Sequence, residues 1–505
     1  MTDLLWYFIF AQMAMGAFDT LYHHELTERL AWCPAQVGEL RLHGVRNLAY
    51  ALMFSALGWS EPRGAAAWAL IALMTGEMLI TAWDFVEEDR TRKLSATERV
   101  THLLLAVNYG VILAMLVPLL TQWAALPSAL APAYHGRWSW LCAAAALGVI
   151  VSGLRDLFAA GRAKRIRPSD PAPLAAALAG RKAILVTGGT GFVGSRLVAA
   201  LAGAGHEVTV LTRNRARAAA LPAPLRVITS LAQIAADTRI DAIVNLAGEP
   251  ISDSPWTRHK RFLILRSRLR MTREIVALIR RLRVRPAVLV SGSAIGWYGL
   301  RGDEALDEMA QGTACFSRSI CVGWERRAMT AAALGVRVVC LRTGLVLAAE
   351  GGMLSRMLVP FEFGLGGRFG NGRHWMSWIH RDDLVRLLIH TIVTPALKGP
   401  VNATAPMPVP NQEFAAALGR ALARPALMPA PAAPLRLALG AFGEELLLGG
   451  QRVLPRAALE SGFVYAYPSI DQALGAVVGR DRNGHVVNQV HGINRVACDV
   501  SGKPR

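Results

Sequence analysis

Three glycines stand between an apolar segment and a helical pattern near the middle of the chain. Gly188, Gly191 and Gly194 follow the apolar residues 183–186, and a helical pattern and a second strand pattern, Glu207–Leu211, come next. Glycines at this spacing permit a tight turn and a close approach of the backbone to a pyrophosphate on the helix N-terminus. A glycine-rich turn alone is the competing interpretation. Because strand, glycines, helix and strand come in the right order, we predict a dinucleotide site.

The end of the second strand pattern indicates which nucleotide binds. An acidic residue there would bind the ribose 2′-hydroxyl of NAD, but none occurs from Val208 to Ala236. Arg213 follows the strand instead, with Arg215 or Arg217 as a second cation, and it is placed to meet a 2′-phosphate. A solvated start of the next helix is the other interpretation of these arginines. We therefore predict NADP rather than NAD as the cofactor.

Three later apolar segments carry small or polar residues at their carboxyl ends. Asp241–Gly248 ends in Asn-x-Ala-Gly, Val288–Ser291 leads into Ser293 and Tyr298, and Arg337–Thr343 precedes a glycine. With the glycine triplet, this order resembles the extended short-chain dehydrogenase/reductases, the NAD(P)-dependent epimerase/dehydratase family, over about residues 182–400. Finer likeness to the nucleoside-diphosphate-sugar epimerase-like subgroup comes from Gly248–Ile251, Trp256, Lys260, Ser267, Arg268, Thr272, Gln451–Pro455 and Ser461–Phe463.

The resemblance implies a fold and a set of site residues. The fold is α/β, a Rossmann-like doubly wound parallel sheet with its ligand crevice at the carboxyl ends of the strands, followed by a small C-terminal domain. Ala247 and Gly248 would line the ribose beside the nicotinamide, and Ser293 matches the catalytic serine. The pyrophosphate would be held by Gly188, Thr190, Gly191, Phe192, Val193 and Gly194.

The catalytic pair of the family is absent. The family uses Tyr-x-x-x-Lys, in which tyrosine is the acid/base and lysine lowers its pKa. Phe316 and Ile320 stand at those positions here, and neither can transfer a proton. Tyr298 lies five residues after Ser293 and is a candidate proton donor, with a packed loop aromatic as the alternative. Three further polar residues are candidates for the site, each with a structural role as the alternative: Glu249, Lys260 and His380.

The first 160 residues have the composition of a membrane domain. Five apolar stretches occur, and a span needs about 20 residues: they are Leu4–Leu21, Val45–Trp59, Ala65–Phe85, Val100–Leu120 and Trp138–Phe158. Basic residues concentrate in alternate connections, and positive loops stay in the cytoplasm. We predict an all-α bundle of about five spans in a bacterial-type inner membrane, with the N-terminus outside and everything after Arg155 in the cytoplasm. A soluble helical bundle is the alternative.

Histidines and carboxylates gather near the predicted cytoplasmic ends of these spans. Glu39 and His43, and likewise Glu98 and His102, are four residues apart and share a helix face. Such groups on facing helices could bind a metal, as in di-metal helical bundles. We favour the other interpretation, a solvated, salt-bridged rim with Arg41, Arg46, Arg90 and Arg99, and predict no metal.

Length, composition and charge fit two or more domains. Of the 505 residues, 53% are hydrophobic and only 18% are charged, against roughly a quarter charged in soluble proteins. Six cysteines without a Cys-x-x-Cys pair exclude a disulfide scaffold and a standard zinc finger. The net charge is +19, and residues 1–160 hold 10 Lys/Arg and 13 Asp/Glu, so the basic excess lies in residues 161–505. We attribute it to phosphate ligands and the anionic leaflet rather than to nucleic acid.

These observations predict a domain order and a function. The order is a membrane domain (1–160), a basic linker (161–181), the NADP-binding domain (182–400), a small C-terminal substrate or cap domain (401–480) and a tail (481–505). The function is hydride transfer to or from a carbonyl or hydroxyl compound, sugar-nucleotide-like or lipid-linked, by a membrane-anchored oxidoreductase or epimerase-like enzyme. The alternative is a non-catalytic NADP sensor or scaffold coupled to the membrane bundle.

Overall fold

A computed structural model of the chain describes residues 1–92, 94–163, 166 and 169–480. It has two compact units, Met1–Arg167 and Pro168–Arg505. The predicted tail, 481–505, lies outside the described residues. So do Lys93, Lys164, Arg165 and Arg167, which contribute to the predicted membrane orientation.

The described part of the first unit is built on long helices. They are α1 (Asp3–Phe18), α2 (Val37–Trp59), α3 (Ala65–Thr91), α4 (Ala96–Ala124) and α5 (Arg137–Ala163). A π-helical segment, Asp19–Glu28, continues from α1, and the short turns Leu30–Trp32 and Pro34–Gln36 lead into α2. After α2, strand β1 (Ser60–Arg63) pairs antiparallel with β2 (Ala129–Pro132).

Within the described residues, four helical segments are long and apolar enough to cross a membrane. They are Asp3–Trp32, Ala65–Thr91, Ala96–Ala124 and Arg137–Ala163. They match the first, third, fourth and fifth predicted stretches. Helix α2 is also long, with 23 residues, but its first half carries Glu39, Arg41, His43 and Arg46. A fifth span therefore stays a prediction.

The polar end of this unit differs from the predicted solvated rim. Glu39, Glu88 and Glu98 are fully buried, whereas Arg41, Arg90 and Arg99 are exposed. Arg92 contacts all three of these carboxylates, and Arg46 contacts Asp84 at 2.8 Å. Of the four arginines predicted to form salt bridges, Arg46 does so, whereas the other buried carboxylates pair with Arg92. The prediction of a solvated rim is wrong because the helices pack over the carboxylates.

The second unit contains a parallel sheet of seven strands. The strands of this unit are β3 (Ala183–Thr187), β4 (Glu207–Leu211), β5 (Arg226–Ile228), β6 (Ala242–Asn245), β7 (Val288–Ala294), β8 (Ala305–Leu306), β9 (Arg337–Thr343), β10 (Leu345–Leu347), β11 (Trp375–Met376), β12 (Trp378–His380), β13 (Gly399–Ala403), β14 (Val409–Pro410) and β15 (Arg452–Val453). The sheet order is β13-β9-β7-β6-β3-β4-β5, and every pairing in it is parallel. This confirms the predicted α/β Rossmann-like sheet.

Helices of this unit pack on both faces of the sheet, α6, α11 and α15 on one face and α8 and α9 on the other. The helices of the described part of the unit are α6 (Gly194–Gly203), α7 (Arg215–Ala219), α8 (Arg258–Arg281), α9 (Phe316–Met329), α10 (Leu354–Glu362), α11 (Arg381–Val393), α12 (Asn411–Leu422), α13 (Ala432–Leu439), α14 (Ala441–Gly443), α15 (Arg456–Glu460) and α16 (Ile470–Val477). In β3, Ile184 and Val186 belong to one buried cluster and Leu185 to another. Strands buried on both faces read as continuous apolar runs, which is why their positions were predictable.

Two predicted domain boundaries need correction. Strand β13, Gly399–Ala403, spans the boundary predicted at residue 400, so the sheet reaches into the predicted C-terminal domain. The predicted linker 161–181 is also too long. Helix α5 ends at Ala163, and Leu174 and Leu178 are buried in the core of the second unit. The sequence around these two leucines did not distinguish residues of a domain core from residues of a linker.

Candidate functional site

The loop after β3 has a shape that only glycine allows at two positions. Gly188 has a φ of +73°, and a Cβ there would lie 2.7 Å from the carbonyl carbon of Leu246 and 2.8 Å from the nitrogen of Ala247. A Cβ on Gly194 would collide with the carbonyl oxygen of Gly188. The backbone therefore folds tightly over the start of α6, where amide groups are available to an anion. This cradle fits the pyrophosphate of a dinucleotide.

A cavity of about 180 Å³ lies beside this loop. Five predicted cofactor residues line it, Gly188, Gly191, Phe192, Val193 and Gly194, and so does Ser293. Gly292 and Thr343 place it at the carboxyl ends of β7 and β9, where ligands bind in doubly wound sheets. Thr190, in the loop, and Ala247 and Gly248, which follow β6, are near neighbours rather than lining residues. A Cβ on Gly248 would lie 2.9 Å from Cζ of Arg268.

Arg213 lies at the same edge of the sheet. Leu211, the last residue of β4, pairs with Thr187, the last residue of β3. Arg213 comes two residues after Leu211 and is exposed. Arg215 and Arg217 begin α7, and the side chain of Asn214 accepts a hydrogen bond from the Arg217 amide. Arg213 therefore precedes helix α7 and lies near the glycine loop, whereas Arg215 and Arg217 lie within the first turn of α7.

Ser293 is hydrogen-bonded to a carboxylate that was not predicted from the sequence. Its Oγ donates a hydrogen bond of 2.6 Å to Oε1 of Glu325 in α9. Arg342, in β9, donates through Nε to Oε1 at 2.9 Å and through Nη2 to Oε2 at 3.0 Å of the same carboxylate. Both oxygens of Glu325 are thus fixed, and one of them faces the serine. Arg342 could have indicated such a carboxylate from the sequence. It is a charged residue in a strand predicted to be buried, and a buried charge needs a partner.

Tyr298 does not line the cavity. Its side chain is fully buried against Leu306 and Val453. Its hydroxyl donates to Oδ1 of Asn402 at 2.7 Å and accepts from Nη1 of Arg342 at 3.1 Å. Burial raises the pKa of Tyr298 to about 12, against the opposing effect of Arg342. This geometry favours a packed aromatic role for Tyr298 over the predicted role as proton donor. Within the described residues, Tyr298 is linked to Ser293 through Arg342 and Glu325.

Two family models match the second unit. The NAD dependent epimerase/dehydratase family matches residues 184–402, and a domain of unknown function, DUF1731, matches residues 430–477. The epimerase family protein Mb2239 of Mycobacterium bovis is 40% identical over 299 residues, which are 59% of this chain and 98% of that protein. The chain belongs to the NAD dependent epimerase/dehydratase family.

Other relatives in the family cover the same share of the chain. YfhF of Bacillus subtilis is 35% identical over 300 residues, 58% of this chain and 97% of that protein. The crystal structure of the human epimerase family protein SDR39U1 with NADPH has 33% identity and a TM-score of 0.52, and covers 58% of this chain and 98% of that one. These matches extend over the C-terminal part, so the helical unit lies outside the similarity.

The positions of the family's Tyr-x-x-x-Lys pair are filled by apolar packing. Phe316 and Ile320 lie on α9 beside Trp256 and Phe442. The rings of Trp256 and Phe316 meet edge to face with centroids 4.9 Å apart. Glu445, from the segment matched by DUF1731, accepts the amide hydrogen of Phe316 at 3.1 Å. The C-terminal segment therefore covers the start of α9, and a proton-transferring pair at these positions is excluded.

The remaining polar candidates have structural partners. Lys260 Nζ contacts Oε1 of Glu249 and Oδ1 of Asp253, each at 2.8 Å. His380 accepts the amide hydrogen of Asp382 at 3.2 Å through Nδ1, and burial lowers its pKa. Cys321 is buried behind Ser293, and burial raises the pKa of its thiol to about 11. These contacts favour structural roles for all three predicted polar residues and an unreactive thiol at Cys321.

Proposed function

We propose that the α/β unit binds NADP through the glycine loop and Arg213. The observation that carries this proposal is the cradle at Gly188 and Gly194, which a Cβ would fill. Gly191, Phe192 and Val193 would hold the pyrophosphate, with Thr190, Ala247 and Gly248 beside the nucleotide. The exposed guanidinium of Arg213 would pair with the 2′-phosphate. The prediction of NADP agrees with the NADPH in the structure of the human relative.

The proposed reaction interconverts a hydroxyl and a carbonyl group. The nicotinamide, when bound, supplies or accepts the hydride. In the oxidative direction Ser293 Oγ takes the hydroxyl proton of the substrate while its own proton passes to Glu325 Oε1, 2.6 Å away. Reduction returns the proton along the same two groups. Arg342 holds the carboxylate in place, and Tyr298 positions Arg342.

The family and the apolar helices support a proposed substrate class. A sugar-nucleotide-like or lipid-linked carbonyl or hydroxyl compound fits the proposed hydride transfer. We infer that the helical unit anchors the protein in a bacterial-type inner membrane, because four of its segments have the length and composition of spans. Basic residues flank the connection of α3 and α4, with Arg90 at the end of α3, Arg92 in the connection and Arg99 at the start of α4. They favour the cytoplasm for that connection and for the α/β unit.

Cysteine accessibility tests the proposed topology. Single cysteines at Arg63 and Arg137 should react with an impermeant maleimide added outside the cell. Cysteines at Arg90 and at Arg181, an exposed residue of the second unit, should react only after permeabilisation. Labelling of Arg181→Cys from the outside would place the α/β unit away from cytosolic NADPH and contradict the proposal.

The activity is tested on the purified full chain in lipid nanodiscs. NADPH oxidation is followed with carbonyl compounds of the nucleotide-sugar and polyprenyl-linked classes. Ser293→Ala should lower turnover by about 10²–10⁴-fold with unchanged nucleotide affinity. Ser319→Ala is the matched control, because Ser319 lies exposed on α9 and bonds only its own helix backbone.

A non-catalytic NADP sensor or scaffold is the second candidate function. The apolar residues Phe316 and Ile320 at the family's catalytic positions favour it. It predicts NADP binding without turnover of any compound in the panel, together with a nucleotide-dependent change in the hydrogen exchange of helices α1–α5. Turnover that depends on Ser293 would reject it.

A further inference from the structure

Histidines and carboxylates from separate helical segments meet at one end of the helical unit. His24, Glu39, His43 and Glu88 each bring one ligand atom into a group whose atoms all lie within 4.8 Å of one another. His24, Glu88, Glu98 and His102 form a second group of the same kind. The two groups share His24 and Glu88. Neither group belongs to the nucleotide cavity.

These side chains are buried, and several of their polar atoms point into the cluster without a hydrogen bond. His24 is 5% exposed, His43 is 2% exposed and Glu88 is 0% exposed. Among the described residues, His24 Nε2, Glu88 Oε2 and His102 Nδ1 have no hydrogen-bond partner. Their nearest ionisable neighbours lie farther away: Oδ2 of Asp19 is 3.4 Å from His24 Nε2, and Glu88 Oε2 is 3.6 Å from His102 Nδ1. A buried nitrogen or carboxylate oxygen without a partner costs free energy. An ion that accepts these lone pairs removes that cost.

The charges of the cluster do not balance through its arginines. Arg92 contacts Glu39 at 2.8 Å, Glu88 at 3.4 Å and Glu98 at 2.7 Å. One guanidinium thus faces three buried carboxylates. Asp84 and Asp19 are buried at the same end of the unit. Oδ2 of Asp84 lies 2.8 Å from His43 Nε2 and 2.8 Å from Arg46, and Oδ2 of Asp19 lies 3.4 Å from His102 Nε2. Five buried carboxylates therefore meet two guanidinium groups, those of Arg46 and Arg92.

We propose that this cluster binds a divalent transition-metal ion, with His24 and Glu88 as ligands common to both groups. Imidazole nitrogen with carboxylate oxygen is a ligand set suited to Zn(II), Fe(II) and Mn(II). Metal–ligand bonds of about 2.0–2.2 Å place ligand atoms about 3–4 Å apart, so the groups need only a small contraction. The stacked rings of His24 and His43 lie side by side, as two nitrogens reaching one ion would require.

The sequence positions support the same site. Glu39 and His43 lie one helical turn apart on α2, and Glu98 and His102 lie one turn apart on α4. Residues four apart share a helix face, and helical bundles build metal sites from such pairs on facing helices. Glu88, on α3, completes both groups. The proposal is independent of the function proposed for the α/β unit.

The test uses the full chain in lipid nanodiscs and Zn(II) as the probe. After chelator treatment and dialysis against buffered Zn(II), bound metal is measured by mass spectrometry. Wild-type protein should retain near-stoichiometric zinc, and His24→Gln and Glu88→Gln should each weaken binding by at least about tenfold. His135→Gln is the matched control, because His135 precedes α5, near β2, and belongs to neither group.

Three outcomes would overturn the proposal. They are wild-type protein that holds no zinc above the buffer level, zinc that stays bound to His24→Gln and Glu88→Gln, and zinc that is lost equally from His135→Gln. If a ligand variant does not fold, the Co(II) form of the wild-type chain decides. Visible d–d bands of nitrogen and oxygen ligation support the site, and the spectrum of hydrated Co(II) contradicts it. In the contradicted case Arg92 and the histidines balance the carboxylates alone.

Discussion

The two ends of the cavity in the α/β unit differ in whether backbone or side chains form them. The nucleotide end is backbone, a loop of consecutive residues in which Gly188 and Gly194 leave no room for a side chain. At the other end the side chain of Ser293 lines the cavity. It is held from behind by Glu325 and Arg342, so this end depends on side chains from two strands and a helix. A backbone site depends on few residue types and keeps the family pattern. A side-chain site can be rebuilt on the same sheet, and here Phe316 and Ile320 have replaced the usual pair.

The largest effect is expected at the nucleotide end. Gly194→Ala places a Cβ against the carbonyl oxygen of Gly188, and the loop must open to admit it. We expect NADP binding to fall below detection in isothermal titration calorimetry. Gly323→Ala is the control, because a Cβ in that part of α9 makes ordinary contact with Leu269 at 3.4 Å. Full NADP affinity in Gly194→Ala would show that the backbone of the glycine loop does not define the nucleotide site.

The next largest effect distinguishes Ser293 from Tyr298 as the hydroxyl group that transfers the proton. Glu325→Gln removes the carboxylate that exchanges a proton with Ser293 and should lower turnover by about 10²–10⁴-fold. Tyr298→Phe removes only a hydroxyl bonded to Asn402 and Arg342, so turnover should change far less. Steady-state NADPH oxidation measures both. If Tyr298→Phe is the more damaging variant, the proton passes through the tyrosine and the assignment to Ser293 and Glu325 is wrong.

A smaller effect is expected for nucleotide choice. Arg213→Ala removes a charge-assisted pair with the 2′-phosphate, which contributes about 1.5–3 kcal/mol, or about 10- to 150-fold in affinity. The loss should affect NADP and leave NAD unchanged. Calorimetry with both nucleotides measures it, and Arg217→Ala in α7 is the matched control. Equal losses for NADP and NAD would remove Arg213 from the phosphate site.

The smallest effect concerns the thiol behind Ser293. Burial raises the pKa of Cys321 from 9.0 to about 11 in the folded protein. The thiolate fraction therefore stays low until the pH approaches 11, and alkylation by iodoacetamide between pH 7 and 9 should be slow. The same residue in denaturant should react with an apparent pKa near 9.0. Equal rates in both states, read by mass spectrometry, would show that the Ser293 end of the cavity is open to water.

The same contrast determines how much could be predicted from the sequence. The glycine loop, Arg213 and the strands of the sheet are local features, and their spacing along the chain is enough to place them. Glu325 lies 32 positions after Ser293, and nothing local to either residue indicates their contact. Tyr298 was placed near Ser293 by sequence distance, but β7 ends between them and the chain turns Tyr298 into the core. Tertiary packing, rather than distance along the sequence, determines which of these side chains meet.

The helical unit shows the same limit. Its apolar stretches were predictable because span length is a local property. The burial of Glu39, Glu88 and Glu98 was not, because it depends on which faces of α2, α3 and α4 meet. A charged residue near a helix end is usually solvated, and only the packed structure separates that case from a buried cluster.

A structure of the full chain with bound NADP is the most direct test of the proposed nucleotide site. We expect the pyrophosphate on the glycine loop, the 2′-phosphate at Arg213, and the nicotinamide C4 within contact distance of the space in front of Ser293 Oγ. Tyr298 should remain bonded to Asn402 in that complex. A nicotinamide that faces Tyr298, or one that points away from both Ser293 and Glu325, would contradict the proposed roles of Ser293 and Glu325.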